Sequence, residues 1–381
     1  MPVGLGGAAF MRNLPQAGGY VADQLVFERE TERNDVPLAP IAYTGLGGAQ
    51  MESRIPNNGI LTAINLLFKG SLVVGASGTC TAGYQYPWNV IKRATLNANG
   101  QTSLISAEGL DLRLRRQRYY RNPREHISTG PGMDTVAPAQ ISGSVGDGVP
   151  GVIGAGTFAL VLEWSLPIVH DDESLVGALF AQSDQNYLSF RLTPPASTDL
   201  FTLAGGSTAA LTGTIYPTVT FFDIPIVQGQ QGHDTVVVPN LAWLHGYLAA
   251  DNPYANTGDV RTPFIRTDGQ LLAFALYLDN GGAAQISPTA LNEIRFAYGG
   301  NRKPRVFNPP EQLLSKMQRD YNGLPKPGWM VFDFEVDAPA RDLVYPKGVS
   351  ELAVEVNIPT GTTINANARV HFVEETLFAG M

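Results

Sequence analysis

Forty-one glycines and 27 prolines run through all 381 residues of this chain, with short apolar stretches between them. That spacing restricts the fold more than any other feature. Scattered turn formers between apolar runs give many short strands joined by turns. A low-complexity tail would gather the same residues in one place. Thr157–Leu166 reads TFALVLEWSL between Gly156 and Pro167, and predicts a strand. Further strands are predicted at Gly59–Phe68, Tyr187–Leu192, 199–204 and Thr212–Ile224. In the second half they are predicted at Thr235–Val238, Leu271–Leu278, Trp329–Val336, Glu351–Ile358 and Asn367–Val373. Leu110 to Arg115 alternates apolar and charged residues strictly, which also predicts a strand, buried on one face.

Helix signals are few. Asp171-Asp172-Glu173-Ser174 reads as the start of a short helix reaching about Ala181. Asn308-Pro309-Pro310-Glu311 supplies a cap, a proline in the first turn and a following acid for a helix over 309–321. Leu313, Leu314, Met317 and Tyr321 line one face of it. Strand, helix, three strands is then an order that occurs twice. A repeated architecture without repeated sequence predicts two copies of one all-β unit, and the eight-stranded jelly roll fits each half. The expected fold is all-β: two tandem eight-stranded jelly rolls, a few short helices and an N-terminal arm. The arm is placed at 1–50, the first roll at 51–225 and the second at 226–381. The boundary falls in the turn-rich Pro225–Asp234. The spans 117–155 and 280–308 are predicted to be long loops, with Arg116–Arg124 at the base of the first.

Charge restricts the partners. The net charge is -8 and only 16% of residues are charged, which opposes tight binding to phosphate. Residues 1–30 carry Arg12 and Arg29 against Asp23, Glu28 and Glu30, so the segment is slightly acidic, and no direct nucleic-acid contact is expected. Cys80 is the only cysteine, which excludes an intrachain disulfide and suits assembly in a reducing cytoplasm. No basic segment followed by an apolar core opens the chain, and no apolar run reaches membrane-spanning length. Gly59–Phe68, the longest, contains Thr62 and Asn65.

Catalytic motifs are scarce. Gly4-Leu5-Gly6-Gly7-Ala8-Ala9 matches a dinucleotide fingerprint in letters but lacks the strand that must precede it. There is no phosphate-binding loop, no H-E-x-x-H and no nucleophile elbow. Among His126, His170, His233, His245 and His371, only His170 stands in a compact cluster with carboxylates, Asp171 and Asp172. Those aspartates read as helix N-terminal charge. A serine–histidine–aspartate triad with distant members stays open. No catalytic residue, metal ligand or cofactor is assigned.

Arg113, Arg115, Arg116, Arg118, Arg121 and Arg124, with Tyr119 and Tyr120 among them, form the one basic run. It suits single-stranded nucleic acid, a solvated strand face, or a neighbouring subunit. The third reading is preferred, with Arg113, Arg115, Arg116, Arg118, Tyr119 and Tyr120 as the contact residues. Phe10, Met11 and Arg12 place apolar groups beside a cation and suit an anionic bilayer surface.

Several stretches resemble the major capsid proteins of tectiviruses, bacteriophages with a protein shell around an internal membrane. They are Leu166 to Leu179, Leu278-Asp279-Asn280-Gly281-Gly282, Pro309–Tyr321 followed by Gly328–Val336, and Asn365-Ala366-Asn367-Ala368-Arg369. The resemblance runs in order over roughly 55–381 and is clearest over 270–381. It implies a double jelly roll that is a structural virion protein and not an enzyme. It further implies pseudo-hexagonal homotrimers tiling an icosahedral shell. The implied partners are neighbouring trimers, vertex and minor capsid proteins, and an internal lipid membrane met by the N-terminal arm. The rival expectation is a jelly-roll protein that binds or cleaves carbohydrate, with Trp88, Trp164, Trp243 and Trp329 as stacking candidates. A sugar hydrolase needs convergent carboxylates, and the sequence points to no pair.

Overall fold

The computed structural model describes residues 31–98, 103–119, 151–170, 175–182, 187–223, 226–228, 234–236, 241–281, 285–299, 305–321, 328–334 and 352–379. Strands of the first half are β1 (Arg33–Pro37), β2 (Ile41–Ala42), β3 (Met51–Arg54), β4 (Ile60–Val74), β5 (Thr79–Ala82), β6 (Arg93–Ala98), β7 (Ile105–Ala107), β8 (Gly151–Ile153), β9 (Gly156–Pro167), β10 (Leu179–Phe180), β11 (Leu188–Thr193), β12 (Phe201–Ala204) and β13 (Ala209–Phe222). After a hairpin of β14 (Ile226–Gln228) and β15 (Asp234–Val236) come β16 (Trp243–Pro253), β17 (Gly258–Pro263), β18 (Gln270–Asp279), β19 (Gln285–Ile286), β20 (Glu293–Tyr298), β21 (Arg305–Phe307), β22 (Met330–Asp333), β23 (Leu352–Ile358) and β24 (Arg369–Ala379). The two long helices are α1 (Gly109–Tyr119) and α2 (Glu311–Tyr321).

The second half shows the jelly-roll connection directly. One layer runs β16–β24–β18–β22 and the other β17–β23–β20–β21. Successive strands cross between them: β16 to β17, back to β18, over to β20 and β21, back to β22, over to β23, and home to β24. Between the layers Phe264, Phe274, Phe296, Phe332, Phe334 and Phe372 pack on one another; the Phe274 and Phe332 rings stack at 4.4 Å. In the first half, β1 and β2 join β13, which pairs with β4, and β9 and β10 pair with β4. The facing layer is β7–β6–β11–β3. Leu61, Ile64, Leu66 and Phe68 meet Ala94, Leu96, Phe190 and Leu192 in that core. Gly70 and Gly213 oppose each other on β4 and β13, because a Cβ on either would run into the Phe68 ring. The chain is thus two tandem jelly rolls, as its strand pattern predicts.

Four local expectations fail. Leu110–Arg115 is α1, not a strand. Leu110, Asp111, Leu112, Arg113 and Leu114 are all buried, so no exposed face exists for the alternation to mark. No helix is described over 175–181. Leu175 and Gly177 adopt φ of 53° and 96°, which no α-helix accommodates, and Leu179–Phe180 is a strand instead. Residues 31–50, read as part of a loop-like arm, add β1 and β2 to the β13 edge. Within 280–308, read as a loop, β20 and β21 form a hairpin whose Ile294 and Phe296 point into the core. Residues 120–150 lie outside the described residues, as do 1–30.

Candidate functional site at the junction of the rolls

The rolls are joined by more than their hairpin. β7 pairs in parallel with β16, so one sheet runs from the first roll into the second. α1 lies against β9, its Asp111 and Arg115 reach β24, and Tyr247 on β16 donates to the Asp111 carbonyl at 2.8 Å. The described charges of this helix are buried or half-buried because each meets a partner there: Asp111 meets His371, Arg113 the Trp88 ring and Arg115 Glu375.

The first cluster starts where α1 begins. The Glu108 amide donates to Asp111 Oδ2 at 2.8 Å, and the Leu110 amide donates to Asn89 Oδ1 at 2.8 Å, so the helix start is held by side chains. Asp111 Oδ1 lies 2.9 Å from His371 Nε2, and Asp251 Oδ1 lies 2.7 Å from His371 Nδ1. Ionised carboxylates only accept, so both ring nitrogens carry protons and His371 is an imidazolium. Burial opposes that charge; Asp111, Glu108 and the two hydrogen bonds overcome it and raise the pKa to about 10. Arg369 joins Asp251 at 2.6 Å and Asp279 at 3.1 Å, and Lys92 stands 3.5 Å from Glu108. For Asp251 burial is again the opposing influence; the His371 hydrogen bond and charge and the Arg369 charge hold its carboxyl well below the usual range.

The second cluster lies one turn further along α1. Arg115 donates from Nε to Glu375 Oε1 at 2.9 Å, and from Nη2 to the His170 carbonyl at 3.2 Å. His245 Nε2 is 2.8 Å from the same Glu375 oxygen. The backbone bend at Leu175 and Gly177 brings this about. Gly177 bridges to Leu244, and its missing Cβ lets the bend sit against His245.

Arg113 and Arg115, assigned from sequence to a neighbouring subunit, therefore make their described contacts inside the chain. Arg113 is 8% exposed and its guanidinium lies over the Trp88 ring at 4.5 Å. Tyr120, Phe10, Met11 and Arg12, and the side chains of Arg116, Arg118 and Tyr119, lie outside the described residues. His371, Asp251, His245 and Glu375 went unrecognised in the sequence. Their partners are 120 to 260 positions away, and no spacing rule links them.

Carboxylates do converge, at the buried Glu108 and Asp111 and at the more exposed Asp251. They converge on His371 and Arg369 rather than on open space. The four tryptophans offer no exposed sugar platform. Trp88, Trp164 and Trp329 are 5%, 1% and 1% exposed, and Trp243 is half-buried. A polar cavity of about 400 Å³, lined by Tyr84, Asp199, Tyr277, Asp279 and Arg369 among others, opens between the rolls beside the first cluster. Among the described residues no helix is long and apolar enough to cross a membrane.

No protein-family model matches the chain, and no curated protein matches it. Solved structures do. The chain is similar to the crystal structure of the STIV MCP, with a TM-score of 0.63 at 13% identity over 91% of this chain and 97% of that one. The atomic structure of Sulfolobus Turreted Icosahedral Virus matches at a TM-score of 0.60 and 14% identity, covering 91% of each chain. The Faustovirus major capsid protein matches at 0.54 and 10%, covering 91% of this chain and 89% of that one. At such identities the likeness is one of fold: the chain has the double jelly roll found in viral major capsid proteins.

Proposed function

We propose that this chain is a viral major capsid protein, a structural component of the virion rather than an enzyme. One observation carries the reading. A single alignment takes in both rolls in order, across 91% of this chain and 97% of the STIV MCP. A shared single roll would say little, since the fold serves lectins and enzymes as well. Two rolls joined through one sheet and a buried helix make a rigid block.

In this reading three chains form a pseudo-hexagonal trimer. Six similar rolls approximate a hexagon, which tiles an icosahedral shell, and closed symmetry suits a homo-oligomer. Neighbouring trimers cover the edge strands that each roll leaves open. The outer face of β4, β9 and β13 supports self-association: among its outward positions only Lys69 and Glu163 are charged, while Val73 and Tyr216 are each 42% exposed. We assign residues 1–30, with Phe10, Met11 and Arg12, to the membrane side of the shell. Vertex and minor capsid proteins complete the partners, and assembly takes place in the host cytoplasm. The domains in this reading are the arm at 1–50, whose β1 and β2 join the sheet of the first roll, and rolls at 51–225 and 226–381.

Electron microscopy of a lysate from cells expressing the untagged chain with lipid vesicles tests the reading. Closed shells or hexagonal sheets of trimers are expected. Deleting residues 2–20 should leave trimers intact and abolish assembly around vesicles. Soluble monomers with no lattice at any concentration would contradict the assignment.

A further inference from the structure

Two groups of metal-ligating side chains lie at the roll junction: Glu108, Asp251 and His371, and His170, His245 and Glu375. The first already holds its cations, because His371 is charged and Lys92 and Arg369 stand among its carboxylates.

The second has one cation, Arg115, 2.9 Å from Glu375 Oε1, but it brings two imidazoles to that carboxylate. His245 Nδ1 lies 2.7 Å from the Pro167 carbonyl oxygen, which only accepts, so Nδ1 carries a proton. Nε2 then turns its lone pair towards Glu375 Oε1 at 2.8 Å. Two lone pairs that close require a positive centre at the contact. His170 Nδ1 stands 3.8 Å from the same oxygen. All three side chains are buried, and their ligand atoms lie within 4.8 Å of one another. Zinc bonds of about 2.0–2.1 Å in a tetrahedron separate ligand atoms by roughly 3.3 Å, and the 2.8 and 3.8 Å separations bracket that value. A backbone carbonyl that fixes one ring's tautomer is the usual support of a metal-bound imidazole.

We propose that His170, His245 and Glu375 bind one Zn²⁺, with a solvent molecule as fourth ligand, and that the ion ties the two rolls together. His170 follows β9 in the first roll; His245 and Glu375 stand on β16 and β24 in the second. Two imidazoles with one carboxylate select zinc over calcium or magnesium, which prefer oxygen. Charge permits the ion. Arg115, Glu375 and a bridging proton sum to one positive charge. Zn²⁺ with hydroxide as the fourth ligand, beside Arg115 and Glu375, sums to the same. A cavity of about 320 Å³ lies beside the site, lined by its neighbours Arg115, Pro167 and Val169 among others.

The test uses the untagged full chain, stripped with chelator and dialysed against micromolar Zn²⁺. Elemental analysis should find one zinc per chain, and X-ray absorption should show two imidazole nitrogens on it. His170→Gln should weaken binding more than about 100-fold, since even supporting residues cost 10–100-fold. Substoichiometric zinc overturns the proposal. So does a single imidazole, which points to the His371 cluster, or unchanged affinity in His170→Gln. Should that variant fail to fold, the imidazole count on the unaltered chain decides.

Discussion

Asp111 and His371 stand 260 positions apart in the sequence and meet at 2.9 Å, with both side chains fully buried. One lies on α1 of the first roll and the other on β24 of the second. Their pairing makes the junction sensitive to alkali. The folded pKa of His371, about 10, exceeds the unfolded value of 6.5. Its stabilisation is therefore fully present below 6.5 and is lost as pH rises through 10. The groups facing the ring are Asp111, Asp251 and Glu108, with Arg369 and Lys92 behind them. Burial gives Glu374 a pKa of about 8, and its ionisation lowers stability in the same direction between 4.5 and 8. Denaturation measured from pH 8 to 10 separates the two. The chain should lose up to about 1.4 kcal/mol per pH unit there, and His371→Gln should remove that slope. An unchanged slope in the variant contradicts an imidazolium at this position.

Arg115 and Glu375 form the second tie. Removing one partner of a buried ion pair strands the other, at a cost of about 3–5 kcal/mol. Arg115→Ala should therefore lower the unfolding free energy of the isolated chain by about that amount in urea titrations. If Arg115 served only a neighbouring subunit, the variant would weaken association and leave chain stability unchanged.

Much of the strand content was visible in the sequence because those strands bury one face or both without special partners. Thr157–Leu166 became Gly156–Pro167, and Leu271–Leu278 became Gln270–Asp279. The helix at 309–321 was marked by its own cap and one-sided apolar stripe, and it spans Glu311–Tyr321. α1 gave no such signal. Its Asp111 and Arg115 lie against His371 and Glu375, so that stretch of the pattern follows remote partners instead of solvent. The bend at Leu175–Gly177 was hidden for the same reason: acidic residues suggested a helix start, whereas close approach to His245 dictates the backbone. β20 was legible and missed, since Ile294 and Phe296 alternate with Arg295.

Phe274 is the hinge of the second core. It is 1% exposed and packs against Phe264, Phe332, Phe334 and Phe372. Phe274→Ala should destabilise the chain by about 3–5 kcal/mol through the cavity it leaves. Calorimetry should show a lower melting temperature. A loss below about 1 kcal/mol would mean the layers close over the gap.

The outer face of β4 and β13 makes a separable prediction. Val73→Glu with Tyr216→Glu places charge on two side chains that are each 42% exposed, so chain stability should hold within about 0.5 kcal/mol per site. Charge at an interface centre opposes association, and sedimentation should show at least a tenfold weaker oligomer. Unchanged assembly would place the subunit contact on another face.

The mass of the purified chain in solution tests the coat-protein account most directly. Light scattering behind a sizing column at micromolar concentration should give three times 40.9 kDa in one peak, with no monomer peak at that concentration. A monodisperse species of 40.9 kDa, stable across that concentration range, would contradict it.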